Sequence, residues 1–315
     1  MRKKLLPILL AFVLILLLLD PSRYFQSVKG GAMLFLSSVL PSMLPYFFFT
    51  KLLTATGCVS ALSGTVGRPV ARLYRISPVA SYPLLMSFLS GYPIGARVIG
   101  DLCEKGLLSP EEGARASAFA STSGSMFVLG SVGAVILKDV AAGGVILAAH
   151  YLGALLNGFL YRGKKGTTAP SLALPHFSRE QENLLSDAMY ESVLSLALVG
   201  GFIAIANLLG DMATDILSRM GLGAVFAEGK LLSGLLYGAF EVTRGCVEFA
   251  ALGAGRAMTA ALCCLAVSFG GLSVILQSLA FLGKTGIKKG RFLLMKSTQA
   301  GISFGLCFAM GFLFL

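Results

Sequence analysis

The sequence predicts an all-α polytopic membrane protein, on three observations. Hydrophobic residues make up 56% of the 315 residues, charged residues make up only 13%, and mean hydropathy is +0.81. A soluble domain carries roughly 25% charged residues, so this chain has too few charges to cover a soluble surface. Its apolar runs are continuous rather than alternating, which favours helices over barrel strands. A soluble enzyme, a nucleic-acid-binding protein and a disordered chain are disfavoured.

The basic excess indicates membrane topology rather than a nucleic-acid partner. The chain has 26 Lys+Arg against 15 Asp+Glu, for a net charge of +11. These basic residues lie in short polar segments between apolar runs, where they mark the cytoplasmic side of a membrane protein. The lipid bilayer is therefore the expected partner and a cell membrane the expected location. The composition leaves open whether the chain forms a homo-oligomer.

The first element, residues 1–26, is predicted to be a signal-anchor helix. Three basic residues at 2–4 precede an apolar run over 5–19, which is the pattern of a secretory signal or of a first membrane helix. No A-x-A-like cleavage site follows, because the run ends in an Asp-Pro pair. An uncleaved helix with its basic end inside is favoured, and a cleaved signal is the alternative.

Two transmembrane repeats are predicted to follow, at 27–162 and 188–315, joined by a polar cytosolic-side linker at 163–187. Their apolar runs are long enough for membrane segments. Several runs are interrupted by Gly, Pro, Ser or charged residues, which predict broken helices. The runs cover 28–53, 77–102, 114–137 and 140–161 in the first repeat, and 188–209, 231–252, 257–282 and 292–315 in the second.

A constant offset of 147 positions relates the interruptions of the two repeats. Two separate breaks keep this offset, which favours internal duplication over coincidence. The matched pairs are Gly91 with Gly238, Arg97 with Arg244, Ser121 with Ser268, and Gly124 with Gly271.

The charge distribution predicts that the repeats are inverted relative to each other. If 77–102 and 231–252 are re-entrant hairpins, every strongly basic segment falls inside, as the positive-inside rule requires. Each repeat then crosses the membrane three times, an odd number. With the first helix, this gives about seven full crossings and an external C-terminus. The segments placed inside are 2–4, 51–75, 105–115, 162–179 and 284–291, while Lys138, Asp139, Asp211, Asp215 and Arg219 lie outside.

The interruptions are the candidate binding sites. Inverted repeats with broken helices are typical of secondary transporters, because unwound backbone at membrane depth is tolerated where it lines a cavity. Half-helix N-termini also present backbone N–H groups to anions. The alternatives are a plain re-entrant turn, with Arg97 reaching the interface, and close packing of small residues. The candidates are Ser90, Gly91, Tyr92, Gly95, Arg97, Ser121, Thr122, Ser123 and Gly124 in the first repeat.

The second repeat adds candidates with ionisable side chains. Burying such a side chain inside a membrane costs free energy, so its presence there indicates a functional role. Arg244 is expected to bind an anion, and Glu241 a coupling cation such as Na⁺ or H⁺. Alternatively these two residues, three positions apart, neutralise each other. No role is assigned to His150, and Gln299 is expected to join helices. The full candidate set in this repeat is Glu241, Thr243, Arg244, Gly270 and Gly271.

Enzymatic chemistry and metal binding have no positive signal in the sequence. The two histidines are too few for a His-based metal site, and the six cysteines form no C-x-x-C pair, so they are expected to pack as small apolar residues. No Walker A, H-E-x-x-H or G-x-S-x-G pattern is present. We expect a protein that is not an enzyme and that needs no cofactor beyond a coupling ion.

Five motifs in order resemble the sporulation integral membrane protein YlbJ family, also called SpoVV. The resemblance covers both repeats, from about residue 38 onwards, and rests on the order and spacing of the motifs. The chain departs from the family pattern at Tyr92 and at 120–124, where asparagine is common. The motifs are P-S-M-L-P-Y-F at 41–47, S-G-Y-P-I-G-A-R at 90–97, R-A-S-A-F-A-S-T-S-G-S at 115–125, A-H-Y-L-G at 149–153 and F-E-V-T at 240–243.

The resemblance implies a nucleoside-recognition or Gate-domain membrane protein that moves dipicolinate from the mother cell across the outer forespore membrane during sporulation. Dipicolinate is a planar aromatic dianion, which two arginines, Arg97 and Arg244, would suit by bidentate pairing. Tyr92 is then expected to stack on its ring. The alternatives are transport of a nucleoside or another carboxylate, and a non-transporting role in assembly of the spore envelope.

Overall fold

The computed structural model describes residues 2–164, 183–222 and 230–315, and these residues contain no strand. They confirm the predicted all-α class. Three π-helical segments, Phe35–Val39, Phe127–Ile136 and Ser218–Leu222, adjoin or separate the α-helices. The α-helices are α1 (Arg2–Leu19), α2 (Pro21–Leu34), α3 (Leu40–Ala55), α4 (Cys58–Tyr74), α5 (Ser81–Ser90), α6 (Ile94–Glu104), α7 (Pro110–Ala116), α8 (Val140–Leu160), α9 (Leu184–Leu217), α10 (Lys230–Phe240), α11 (Val242–Ala250), α12 (Arg256–Phe269), α13 (Gly271–Leu282) and α14 (Lys289–Phe314).

Five stretches of the described chain are long and apolar enough to cross a membrane. They are Pro21–Ala55, Val140–Leu160, Leu184–Gly221, Arg256–Leu282 and Lys289–Phe314. Two shorter apolar helices, Pro7–Leu19 and Phe127–Ile136, coincide with the remaining crossings expected from the sequence. The membrane class is thus confirmed, while the count of seven crossings stays a prediction.

The N-terminal region separates into two helices at Asp20. The Asp20 carboxylate accepts a hydrogen bond from the backbone N–H of Arg23 at 3.1 Å and so caps α2. The second apolar run contains a π-helical turn, Phe35–Val39, which ends two residues before Pro41. Proline disrupts the preceding helical turn because it lacks an N–H and its ring crowds the carbonyl four residues earlier. Of the predicted linker 163–187, residues 165–182 lie outside the described residues.

Two helical hairpins contain the first break of each half. Helices α5 and α6 fold back on each other through Gly91, which has a φ of +73°. Helices α10 and α11 do the same through Glu241. In the second hairpin the backbones approach closely, because a Cβ at Gly245 would lie 2.5 Å from the Cα of Gly238. Only glycine permits this approach.

The second break of each half interrupts a segment without reversing it. Helices α12 and α13 belong to one span of 27 residues and are separated by Gly270, which has a φ of +89°. In the first half, residues 121–124 are unwound between α7 and the π-helical segment Phe127–Ile136. Each half therefore contains one hairpin break and one in-line break, in the same order along the chain.

An apolar core rich in alanine and cysteine involves helices α8, α12 and α14. Helix α14 packs against both α8 and α12. The predicted packing role of cysteine is confirmed for Cys246, Cys263, Cys264 and Cys307, which are free thiols buried in this core. Because small residues allow close approach of helix backbones, these cysteines let the helices pack closely around the larger Phe249 and Leu262 of the same core.

Ion pairs join helix α9 to the N-terminal span at two well-separated points. Lys51 pairs with Glu191 at 2.9 Å, and Arg23 pairs with Asp215. Glu191 and Asp215 lie roughly 36 Å apart along α9 at 1.5 Å per residue. The span Pro21–Ala55 and α9 are therefore antiparallel neighbours. Their ion pairs are separated by nearly the thickness of a bilayer with its headgroups.

Candidate substrate site at the helix breaks

The hairpin tip of each half packs on the in-line break of the same half. A Cβ at Gly91 would overlap the backbone N of Gly124, and one at Gly271 would lie 3.1 Å from the carbonyl oxygen of Gly238. These are the glycines that the offset of 147 positions pairs with each other. The same tip-to-break contact thus occurs twice, at equivalent positions, which supports the internal duplication.

A cavity of about 60 Å³ lies where the breaks of the two halves meet. A volume of this size holds about two water molecules. Its lining is mostly apolar and includes Met43, Phe127 and Ile203. Its polar lining comes from both halves: Tyr92 and Ser123 from the first, and Glu241, Thr243, Ser273 and Gln277 from the second.

Glu241 provides the acidic group of this cavity and is only 5% exposed. One carboxylate oxygen accepts a hydrogen bond from the Thr243 hydroxyl at 3.0 Å, and the other accepts from the backbone N–H of Arg244 at 2.8 Å. Glu241 therefore caps the N-terminus of α11. Its own carboxylate occupies the helix N-terminus that was expected to bind the anion of a substrate. Among the described side chains, no cation forms an ion pair with it.

The two arginines expected to bind carboxylates lie away from the cavity. Arg97 is exposed on α6. The Arg244 guanidinium forms an ion pair with Glu248 at 2.8 Å and lies 4.7 Å from the ring centroid of Tyr237. The Arg244 side chain therefore does not neutralise Glu241, as one alternative predicted. It pairs instead with Glu248, one helical turn further along the chain.

Lys296 is the central cation that the sequence analysis missed. Its side chain is 1% exposed on α14. The ammonium donates three hydrogen bonds, to the Tyr92 hydroxyl at 2.6 Å, the Ser121 carbonyl at 2.9 Å and the Gln299 side-chain oxygen at 2.8 Å. An ionisable residue inside an apolar run was the available signal. The same rule that marks Glu241 as a candidate also marks Lys296.

Two polar atoms beside Lys296 have no partner in the described structure. They are the hydroxyl oxygen of Ser121 and the side-chain nitrogen of Gln299. Both residues are buried, at 2% and 1% exposure. Buried polar atoms are normally hydrogen-bonded, so these two call for an explanation.

His150 connects the in-line breaks of the two halves and is fully buried. The backbone N–H of Ser123 donates to His150 Nε2 at 2.9 Å, and His150 Nδ1 lies 2.7 Å from the Ser268 hydroxyl. Because Nε2 accepts, the ring proton of the neutral imidazole lies on Nδ1 and is donated to Ser268. The sequence analysis gave His150 no role, but the structure makes it a positioning residue.

The other candidates fall into two groups around this centre. Thr122 and Ser90 are buried at the first tip, where the Thr122 hydroxyl bonds that of Ser87 at 3.1 Å. Gly95 packs against the Ala120 carbonyl, and a Cβ on Gly270 would lie 3.8 Å from the Tyr92 ring. The residues that line the cavity are Tyr92, Ser123, Gly124, Glu241 and Thr243, and those that frame it are Ser90, Gly91, Gly95, Ser121, Thr122, Gly270 and Gly271.

The fold and these breaks define a polytopic α-helical integral membrane protein. The chain is 29% identical over 308 residues to the sporulation integral membrane protein YlbJ of Bacillus subtilis strain 168, with 89% of this chain and 75% of that protein covered. This similarity extends across both halves and supports assignment of the chain to the YlbJ family of sporulation membrane proteins. No family model and no solved structure matches the chain.

Proposed function

We propose that this protein transports a small organic anion, with dipicolinate as the substrate, from the mother cell across the outer forespore membrane during sporulation. The cavity between the helix breaks of both halves carries the proposal. Unwound backbone inside a membrane leaves unpaired polar groups, which are tolerated where they line a site. Four breaks that converge on one cavity are the arrangement expected of a carrier rather than of an assembly factor.

The proposed topology has two inverted repeats of the Gate-domain type, about seven crossings and two re-entrant hairpins. Its support is that five contacts between distant polar segments each join segments that the charge distribution predicts on the same side of the membrane. Lys51 with Glu191, and Tyr74 with Gly163, fall on the predicted inner side. Arg23 with Asp215, Asp139 with Arg256, and Arg256 with the Leu315 carbonyl fall on the predicted outer side.

The size of the cavity indicates how such a carrier would work. A pyridine ring with two carboxylates is several times larger than the two waters that 60 Å³ would hold. On this proposal, the cavity would therefore have to widen during the transport cycle. Binding of substrate would separate the two hairpin tips, and this opening would admit the anion from one side at a time.

Glu241 is the proposed coupling site. It is a buried carboxylate that lines the cavity and has no ion-pair partner among the described residues. A proton or Na⁺ would neutralise it, as is common for acidic residues inside transporters. On this proposal the protein performs no chemistry on its substrate and needs no other cofactor.

The test is uptake of labelled dipicolinate into proteoliposomes that contain the purified chain. We expect saturable uptake that isophthalate, a dicarboxylate of similar shape, inhibits and that uridine does not. Protein-free liposomes are the control. Uptake inhibited by uridine instead would favour a nucleoside carrier. No uptake by folded, monodisperse protein under Na⁺ or proton gradients would contradict transport and favour the assembly role.

A further inference from the structure

Lys296 is a buried cation, and no carboxylate among the described residues pairs with it. All three of its hydrogen bonds go to neutral oxygens, those of Tyr92, Ser121 and Gln299. Within the described residues it forms no ion pair with a carboxylate. Charged side chains inside membranes are normally paired, because an isolated buried charge is costly. A bound anion would supply the missing counter-charge.

The surroundings of Lys296 also hold unused hydrogen-bonding capacity. The Ser121 hydroxyl and the Gln299 side-chain nitrogen are both buried without a partner. Each belongs to a residue that already accepts a hydrogen bond from Lys296 through a different atom. An amide nitrogen can only donate, and a hydroxyl can donate as well. A cation with unused donors beside it, and no carboxylate, is the composition of an anion site.

Tyr92 separates this group from the cavity. Tyr92 lines the cavity, while its hydroxyl accepts a hydrogen bond from Lys296 and donates one to the Val267 carbonyl at 3.4 Å. The phenol oxygen is therefore the neutral acceptor that an incoming carboxylate would replace. A carboxylate is the better acceptor for an ammonium, because charge-assisted hydrogen bonds are roughly twice as strong as neutral ones.

We infer that Lys296 binds a carboxylate of the substrate, in place of the Tyr92 hydroxyl and with hydrogen bonds from Ser121 and Gln299. This inference rests on the proposed function and specifies its binding group. It moves anion recognition from Arg97 and Arg244, which lie away from the cavity, to a residue absent from the sequence-based set. The recognised class is a carboxylate, so the neutral dimethyl ester of dipicolinate would not depend on Lys296.

The experiment measures dipicolinate affinity of the full chain in lipid nanodiscs by isothermal titration calorimetry. Lys296→Gln should weaken binding about 10- to 100-fold, the range for losing one hydrogen bond to a charged group. Lys289→Gln is the matched control, because Lys289 is exposed at the start of the same helix. It should bind as the wild type does.

Gln299→Glu keeps the test decisive if Lys296→Gln fails to fold. Glutamate has nearly the shape of glutamine, and it would place a carboxylate 2.8 Å from the ammonium of Lys296. This internal counter-charge should raise the melting temperature and weaken dipicolinate binding. A lysine with a purely structural role predicts the higher melting temperature with unchanged binding.

The outcomes separate the inference from the function on which it rests. Wild-type binding that weakens in Lys296→Gln or Gln299→Glu, and not in Lys289→Gln, supports both. Wild-type binding that persists undiminished in both site variants overturns the role of Lys296 and leaves the transport proposal standing. Absence of binding of dipicolinate and of isophthalate to folded wild-type protein overturns both.

Discussion

The two hairpin tips share one backbone arrangement but obtain their charge in different ways. The first tip contributes Tyr92, whose hydroxyl bonds a lysine brought by α14 of the other half. The second tip carries its own carboxylate, Glu241, which bonds groups of the helix that it starts. One tip thus depends on the opposite half for its charge, and the other is self-contained.

This difference shows how one duplicated backbone arrangement can carry two sites with different side chains. Glycine contacts at equivalent positions fix both tips on their in-line breaks. The side chains around them then diverge, with a cation at the first tip and an acid at the second. On the proposals above, the first tip binds the anion and the second binds the coupling ion.

Gly91→Ala should have the largest effect, because it removes the shared contact at the first tip. The new Cβ would overlap the Gly124 backbone, at a φ of +73°. We expect a loss of about 2–5 kcal/mol from strain and overpacking together. Thermal unfolding in detergent measures it. Gly57→Ala is the control, since Gly57 has a φ of +76° and open space around it. Equal losses in the two variants would contradict the tip contact.

His150→Ala should have the next largest effect, because it disconnects the two in-line breaks. It leaves the backbone N–H of Ser123 and the hydroxyl of Ser268 without their partner. An unsatisfied buried polar group costs about 1–3 kcal/mol, so we expect a loss of about 2–4 kcal/mol for the pair. His150→Gln, which can bond one of the two, should recover part of it. A stability equal to that of the wild type would argue that the breaks are held independently.

Glu241→Gln should separate coupling from stability at the second tip. We expect gradient-driven uptake in proteoliposomes to fall about tenfold or more, while the weakened helix cap costs only about 1 kcal/mol. Glu248→Gln is the matched control, because Glu248 pairs with Arg244 away from the cavity. If both variants keep wild-type uptake under a gradient, Glu241 is not the coupling residue.

Asp139→Asn should have the smallest effect, at the surface and far from either tip. The Ala142 N–H and the Arg256 guanidinium favour the charged carboxylate and hold the pKa of Asp139 below its ordinary value. Its contribution is therefore present above the pKa of the unfolded chain and is lost as pH falls through the folded value. The variant should lose under about 1 kcal/mol at neutral pH and show a flatter acid dependence of melting temperature. An unchanged acid dependence would contradict this assignment.

The sequence alone predicted the membrane class and the positions of the breaks, because glycine, proline and charge interrupt apolar runs locally. It did not predict which side chains meet. Arg97 and Arg244 stand at equivalent positions, yet one is exposed and the other pairs with Glu248. Lys296 is the one charged residue of the run 292–315, and its partner on the first tip, Tyr92, is about 200 positions away in the chain. Such contacts follow from the packing of α8, α12 and α14, which no local pattern encodes.

The central claim is that the substrate anion binds between the two tips, on Lys296. The most direct measurement is a crystal structure of the chain with 4-bromodipicolinate, located by the anomalous signal of bromine. We predict one bromine peak in an enlarged cavity beside Tyr92, with a carboxylate within hydrogen-bonding distance of the Lys296 ammonium. A peak at exposed Arg97 or outside the cavity, with Tyr92 still bonded to Lys296, would contradict it.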